Sequence, residues 1–160
     1  MNNLLTAPLS LVRKLQEKSW HLAVAESCTG GMIGAAVTAQ PGSSAYFTGG
    51  IISYSNEIKE SLLDVPHHIL ERHGAVSRET AEAMARGVKK RIPAHCSIAV
   101  TGIAGPSGGT PGKPVGLVYI AVSVNERTEV FKYHFEGDRA SVRQRTVEVA
   151  FEKLEKMIDG

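Results

Sequence analysis

The sequence predicts an α/β fold: three layers, α/β/α, around a mixed, mainly parallel sheet that ends in an antiparallel hairpin. Three observations lead there. Short apolar runs without helical spacing, "HLAVA" (21–25) and "SIAVTG" (97–102), read as buried strands. Segments with apolar residues three and four apart separate them, the pattern of crossover helices on both faces of a sheet. Later, "GLVYIAVSV" and "EVFKYHFEG" alternate on either side of Asn125-Glu126-Arg127, as a hairpin does.

Each element has its own signal. "LSLVRKLQEK" carries apolar residues at 9, 11, 12 and 15, one stripe of a helix. "GMIGAAVTA" (31–39) is a small-residue helix stopped by Pro41-Gly42. "YFTGGIISYS" (46–55) is β-rich, and its glycine pair predicts a bulge or a close backbone approach. "NEIKESLL" and "PHHILERH" read as two short helices. Ser77 is placed as the N-cap of "RETAEAMARGVKKRI", with Glu79 in the first turn. "GIAGPSGGTPGKP" (102–114) is a long Gly/Pro loop, and such loops inside compact domains are usually functional. "DRASVRQRTVEVAFEKLEKMI" closes the chain as an amphipathic helix with its apolar stripe at 142, 149, 150, 154 and 157. No linker, repeat or low-complexity tract divides residues 1–160, so a single domain is expected.

The totals exclude several classes. A net charge of +2 with no Lys/Arg stripe argues against nucleic acid as a partner. "VKKR" (88–91) falls at a helix end, where cations oppose the dipole favourably. Two cysteines, Cys28 and Cys96, make no disulfide framework and point to a reducing compartment. "MNNLLTAPLSLVRKL" has Arg13 and Lys14 within it and lacks the long apolar run of a signal peptide. No window is apolar enough to span a membrane, so a cytoplasmic protein is expected.

Familiar signatures are missing. There is no H-E-x-x-H, no zinc spacing, no S-x-x-K and no G-x-S-x-G. The 102–114 loop is not a P-loop: Ser107 stands where the first glycine belongs, and Pro114 follows Gly112-Lys113. His67-His68, beside Pro66, read as surface residues rather than metal ligands.

Five segments remain as candidates. In "AESCTGG" (25–31) a strand runs into Ser27, Cys28, Thr29 and paired glycines before a helix, leaving N–H groups at 28–31 for an oxyanion or a phosphate. The plainer alternative is that Ser27 or Thr29 caps the helix, with Glu26 ordering the turn. In "YSNEIK" (54–59), Lys59 follows Tyr54 and Asn56 by a turn; a Ser–Lys pair needs that amine neutral, whereas an ordinary helix lysine is solvated. Ser43 and Ser44 follow a Pro-Gly turn and either cap backbone or hold a ligand. Thr101 ends a buried strand, at the sheet edge expected for Ser27. In "EGDRASVR", Asp138 is a natural N-cap, while Arg139 and Arg143 share a face and suit a phosphate or carboxylate. Arg139 stands in the first turn, where the dipole disfavours a cation.

Together "AESCTGG", "GSSAYFTGGIISYSNEIKESLL.V", "HGAVSRETAEAMARG", "AVTGIAGPSGGTPGKPVGLVYIAV" and "F.GDRASVR" resemble the CinA C-terminal domain family, from about residue 6 to 155. The resemblance is to the stand-alone form, without the molybdopterin-binding-like N-terminal domain. It implies an amidohydrolase of pyridine nucleotide salvage that converts nicotinamide mononucleotide and water to nicotinate mononucleotide and ammonia. It further implies a Ser27 nucleophile, a Lys59 base and a nearby Tyr54, with no metal or other cofactor, and a homo-oligomer. It also implies Ser44, Thr101 and one of Arg139 and Arg143 as substrate-binding positions, Arg139 favoured over Arg143, and Thr29 and Gly30 are expected to bind with them. Cys28 is the stronger intrinsic nucleophile but has no evident thiolate-stabilising partner, so it is read as structural. A non-catalytic nucleotide-binding module of competence or DNA damage response remains the alternative, as does an amidase for another pyridine nucleotide.

Overall fold

A computed structural model describes residues 5–160; the first four residues of the amphipathic N-terminal segment lie outside it. The elements are α1 (Leu9–Lys18), β1 (Leu22–Glu26), α2 (Met32–Thr38), a 3-10 turn (Ser43–Ala45), β2 (Phe47–Ile52), α3 (Asn56–Leu63), α4 (His67–His73), α5 (Arg78–Arg91), β3 (Cys96–Gly102), β4 (Leu117–Val124), β5 (Arg127–His134) and α6 (Arg139–Asp159). The sheet order is β2-β1-β3-β4-β5. β1 is parallel to β2 and β3, while β3–β4 and β4–β5 are antiparallel, so β4 alone runs against the rest. The α/β sandwich with a mixed sheet and closing hairpin is the fold the sequence predicts.

Alternation along the central strands separates two cores. Leu22, Val24, Ile98, Val100, Ile120 and Val122 face α1, α2 and α6. The residues between them face α5 and are small: Ala25 pairs with Ala99, and Ala99 with Ala121, a row of alanines across three strands. A helix laid on methyl groups sits closer to a sheet than one laid on leucines. Ser97 strengthens the same contact by donating to the Ala85 carbonyl at 2.8 Å.

Two glycines continue this close packing. The register of β1 against β2 slips by one residue after Leu22, the bulge that the glycine pair predicts. A Cβ at Gly50 would stand 2.5 Å from Val24 Cγ2 and 2.9 Å from its carbonyl oxygen, so the strands meet there only without a side chain. A Cβ at Gly87 in α5 would lie 1.9 Å from the Leu63 carbonyl oxygen at the end of α3. α5 on the alanine row therefore fixes where α3 lies.

Some boundaries differ from the sequence pattern. β2 ends at Ile52 rather than at 55, because its partner β1 ends at Glu26 and pairing stops there. β5 begins at Arg127 and ends at His134, rather than spanning 129–137, because the Asn125-Glu126 turn is tight enough for Val124 to pair with Arg127. Among the described residues no helix is long and apolar enough to cross a membrane.

Gly87→Ala should destabilise the domain by about 2 kcal/mol or more, as overpacking against backbone does. Urea unfolding of both proteins checks this; Arg86→Ala, an exposed neighbour, should change stability little.

Candidate active site

Ser27 follows β1 directly, at the carboxyl edge of the parallel strands, where ligands of open α/β sheets bind. Its N–H donates to the Val100 carbonyl at 3.2 Å, which holds it against β3. Its hydroxyl is not the helix cap. Glu26, 2% exposed, takes that role: Oε1 accepts from Thr29 Oγ1 at 2.6 Å and Ile33 N–H at 2.9 Å, and Oε2 from Gly34 N–H at 3.1 Å. A carboxylate at a helix N-terminus is favoured by the dipole and satisfies orphan donors. Neither Ser27 nor Thr29 caps α2, and the Ser27 Oγ is left to other chemistry.

That chemistry is a lysine. Lys59 is 1% exposed, and its Nζ lies 3.1 Å from Ser27 Oγ, 2.7 Å from the Ser53 carbonyl oxygen and 3.1 Å from the Tyr54 carbonyl oxygen. Both carbonyls belong to the short segment where β2 has stopped pairing. Ser55 starts α3 by accepting from Ile58 N–H at 3.2 Å, which sets Lys59 in the first turns of that helix. Burial lowers the Lys59 pKa from 10.5 to about 8. The positive end of the α3 dipole disfavours a cation there as well. A neutral amine has two hydrogens and one lone pair. With the hydrogens on the two carbonyls, the lone pair faces the Ser27 hydroxyl, the arrangement of a base and its nucleophile.

A cavity of about 200 Å³ opens above the pair, and Cys28, Tyr54, Val76, Thr101 and Arg139 are among its walls. The Cys28 thiol is pushed up to about 12, chiefly by burial, which leaves it protonated and inert at neutral pH. Among the described residues the Cys28 and Thr29 N–H groups donate to no acceptor, whereas Gly30 N–H donates to the Ser27 carbonyl at 3.1 Å and drops out as an oxyanion donor. Gly30 and Gly31, with φ of +56° and +111°, let the chain turn sharply into α2.

The two arginines separate. Arg143 is tied down, with Nε donating to the Cys28 carbonyl at 3.0 Å and Nη2 to the Thr29 carbonyl at 3.1 Å. It pins the Ser27 turn to α6. Arg139 is exposed, lines the cavity and donates from Nη1 to the Gly105 carbonyl at 2.8 Å, so the long Gly/Pro loop orients it. Arg139 is thus the arginine available to a ligand. Thr101 lines the cavity, but its hydroxyl donates to the Ala75 carbonyl at 2.8 Å and holds the loop before α5.

Three expected site residues stand elsewhere. Thr29 is fully buried under Glu26 and does not line the cavity; Gly30 lies outside it too. Ser44 is exposed in the turn that precedes β2, at the opposite edge of the sheet from Ser27, because a parallel strand carries its two ends to opposite edges. The Tyr54 hydroxyl faces Arg139 Nη2 at 3.4 Å rather than Ser27 or Lys59, and Tyr54 reaches the amine through its carbonyl. Two contributors carried no sequence signal: the Ser53 carbonyl and the Val76 wall. Among the described residues no three His, Cys, Asp or Glu side chains cluster as metal ligands would.

Fold and site together define a mixed-sheet α/β domain with a buried Ser–Lys pair at the carboxyl edge of its parallel strands. The model of the CinA C-terminal domain matches residues 6–158, and the chain belongs to that family. It is 54% identical over 147 residues to a CinA-like protein of Parasynechococcus marenigrum, covering 90% of this chain and 35% of that protein. It is 48% identical over 145 residues to a putative competence-damage inducible protein of Halothermothrix orenii, again covering 90% and 35%. The chain thus spans about a third of the length of these curated relatives. The crystal structure of the competence damage-inducible protein A from Klebsiella pneumoniae superposes with a TM-score of 0.91 at 35% identity, covering 94% of each chain. A competence/damage inducible protein of Agrobacterium tumefaciens superposes with a TM-score of 0.84 at 38% identity, also over 94% of each.

The buried amine should leave a signature in stability. Its pKa is about 8 folded against 10.5 for the free group, so between these values this amine takes up a proton on unfolding and its own contribution to stability rises with pH. Lys59→Met removes that titration. The stability difference between wild type and Lys59→Met should therefore shift in favour of wild type as pH climbs from about 8 to 10.5, and stay level below 8. Urea titrations across that range check it. Native Cys28 should resist iodoacetamide at pH 8 and react once the protein is unfolded.

Proposed function

We propose that this chain hydrolyses the carboxamide of nicotinamide mononucleotide, giving nicotinate mononucleotide and ammonia. The observation that carries the reading is the Lys59 amine, buried, lowered in pKa and 3.1 Å from Ser27 Oγ. Ser27 Oγ attacks the carboxamide carbon while its proton passes to Lys59 Nζ. The Cys28 N–H group, on the cavity wall, is the donor nearest in the chain for the oxyanion, and such a donor is typically worth about 3 kcal/mol. Lys59 returns the proton to the departing nitrogen, ammonia leaves, and a nicotinoyl ester remains on Ser27. Water then attacks that ester, giving its proton to Lys59, which restores it to Ser27 Oγ as nicotinate mononucleotide departs. With the Tyr54 hydroxyl turned to Arg139, Lys59 serves as both base and acid.

Arg139 is the group suited to the substrate phosphate, as an exposed guanidinium at the cavity rim whose fork matches a phosphate edge. Tyr54 beside it offers an aromatic face to the cationic pyridinium.

Ammonia release from nicotinamide mononucleotide by purified protein tests the reading. Ser27→Ala and Lys59→Ala should each lower kcat by at least about a thousandfold. Wild-type kcat/KM should rise with pH through an apparent pKa of about 8, as Lys59 loses its proton. Arg139→Ala should raise KM more than it lowers kcat. Tight binding of the nucleotide without ammonia release would instead mark a nucleotide-binding module.

A further inference from the structure

The "VKKR" run at the end of α5 complements the helix dipole, but the structure gives its cations separate duties. Arg91 turns to the end of α3, donating to the Ser61 carbonyl at 3.0 Å and pairing with Asp64 at 3.3 Å. Lys89 crosses to the β4–β5 hairpin, where its Nζ donates to Ser123 Oγ at 3.1 Å and to the Asn125 carbonyl. Among the described residues neither Lys89 nor Lys90 forms an ion pair. Arg86, one turn before Lys90, is exposed and pairs with Glu82 of its own helix at 2.7 Å. Exposed pairs of this kind are weak and readily exchanged.

Arg86, Lys89 and Lys90 form one side of a cavity of about 480 Å³, and the hairpin forms the other with Ser123, Asn125, Glu126 and Thr128. Three cations face one carboxylate there. Ser123 is buried and its hydroxyl is fully used: it accepts from Lys89 and, at 3.0 Å, from Thr128 Oγ1, and donates to the Arg127 carbonyl at 3.2 Å. It is an anchor for the amine and not a second nucleophile, although it stands as near to Lys89 as Ser27 does to Lys59. An ammonium has three hydrogens, and Lys89 has used two. The third remains, on an amine whose position two partners fix. Burial lowers the Lys89 pKa, and Glu126 offsets that only in part. The cluster holds like charges together without the anion that would balance them.

We propose that this cavity binds a small sugar phosphate. The guanidinium fork of Arg86 and the two amines match the oxygens of a phosphate dianion. Glu126 and the Asn125 amide suit the hydroxyls of the carrier, for which a carboxylate is a strong acceptor. The same carboxylate repels a bare anion, so the hairpin selects for the carrier. Every residue lining the cavity is polar or charged, so a nucleobase finds no apolar or aromatic wall.

The site is separate from the Ser27–Lys59 cavity. The two share no lining residue. Val124 pairs with Cys96 at the start of β3, which puts the hairpin turn at the opposite end of the strands from Ser27. Val76 stands just before α5 and Lys90 near its end, about 20 Å apart along the helix. The inference does not rest on the hydrolase reading.

Titration of isotopically labelled protein with ribose 5-phosphate, followed by amide NMR, tests it. Shifts at residues 86–90 and 123–128 should move together and saturate. Arg86→Ala and Lys90→Ala should each weaken that binding by about tenfold, the loss of one charge-assisted contact. Wild type should bind ribose 5-phosphate at least about tenfold more tightly than inorganic phosphate. Glu126→Ala should weaken the sugar phosphate and spare inorganic phosphate. Arg139→Ala should leave these shifts in place, which separates them from phosphate bound beside Ser27. Urea unfolding should show Arg86→Ala, Lys90→Ala and Glu126→Ala as stable as wild type, so that lost binding is not lost fold. An absence of saturable shifts around this cavity, affinity untouched by both cation variants, or shifts that vanish in Arg139→Ala would overturn the site. Equal affinity for inorganic phosphate, or a Glu126→Ala that weakens both probes alike, would overturn the sugar phosphate as its ligand.

Discussion

A lysine amine with 1% exposure has lost its water and must find acceptors inside the protein. Among the described residues two backbone carbonyls and one serine hydroxyl meet Lys59 Nζ, and no carboxylate does. A carboxylate would hold the proton on the amine. Carbonyls satisfy its hydrogens without a full opposing charge, and burial then lowers the pKa to about 8. The rest of the architecture can be read as what keeps this amine dry and in place.

It is kept there by small residues. Ala25, Ala99 and Ala121 let α5 down onto the sheet, and Gly87 lets α3 down onto α5. Lys59 comes in on α3. Larger residues at these positions would lift the helix layer and move the amine away from Ser27. The opposite face, with Ile98, Ile120, Phe151 and Leu154, carries the bulkier core. The two faces thus divide the labour between bulk burial on one side and close approach on the other.

Adjacent residues likewise take separate duties at the Ser27 turn. Glu26 absorbs the orphan donors of α2, and Arg143 ties the turn's carbonyls to α6. Ser27 is left with the lysine. Two charged side chains next to a nucleophile look catalytic in a sequence, yet here they position the turn by holding its backbone. The cysteine between them is silenced by the burial that activates the lysine: desolvation favours neutral forms, and the neutral form is inert for a thiol and reactive for an amine.

Much of this was legible before the structure. Periodicity separated strands from helices, the hairpin announced itself by alternation around Asn125-Glu126-Arg127, and the glycine pair within 46–55 foretold a bulge or a close backbone approach. The motifs marked Ser27, Lys59 and Arg139 as candidates beside plainer readings, and the family resemblance implied their roles, because short segments with unusual polar residues at element ends survive as patterns in one dimension. Tertiary structure alone decided what those residues do to one another. It moved the cap from serine to Glu26, turned Arg143 and Thr29 into supports, carried Ser44 to the far edge, and brought Ser53's carbonyl to the amine. The reason is physical. Local pattern reports which groups a segment can offer, whereas burial and partners depend on residues 32 or 115 positions away, as between Lys59 and Ser27 or Arg143 and Cys28. A lysine becomes a base only where the fold removes its water, and one segment of sequence does not contain the walls that do so.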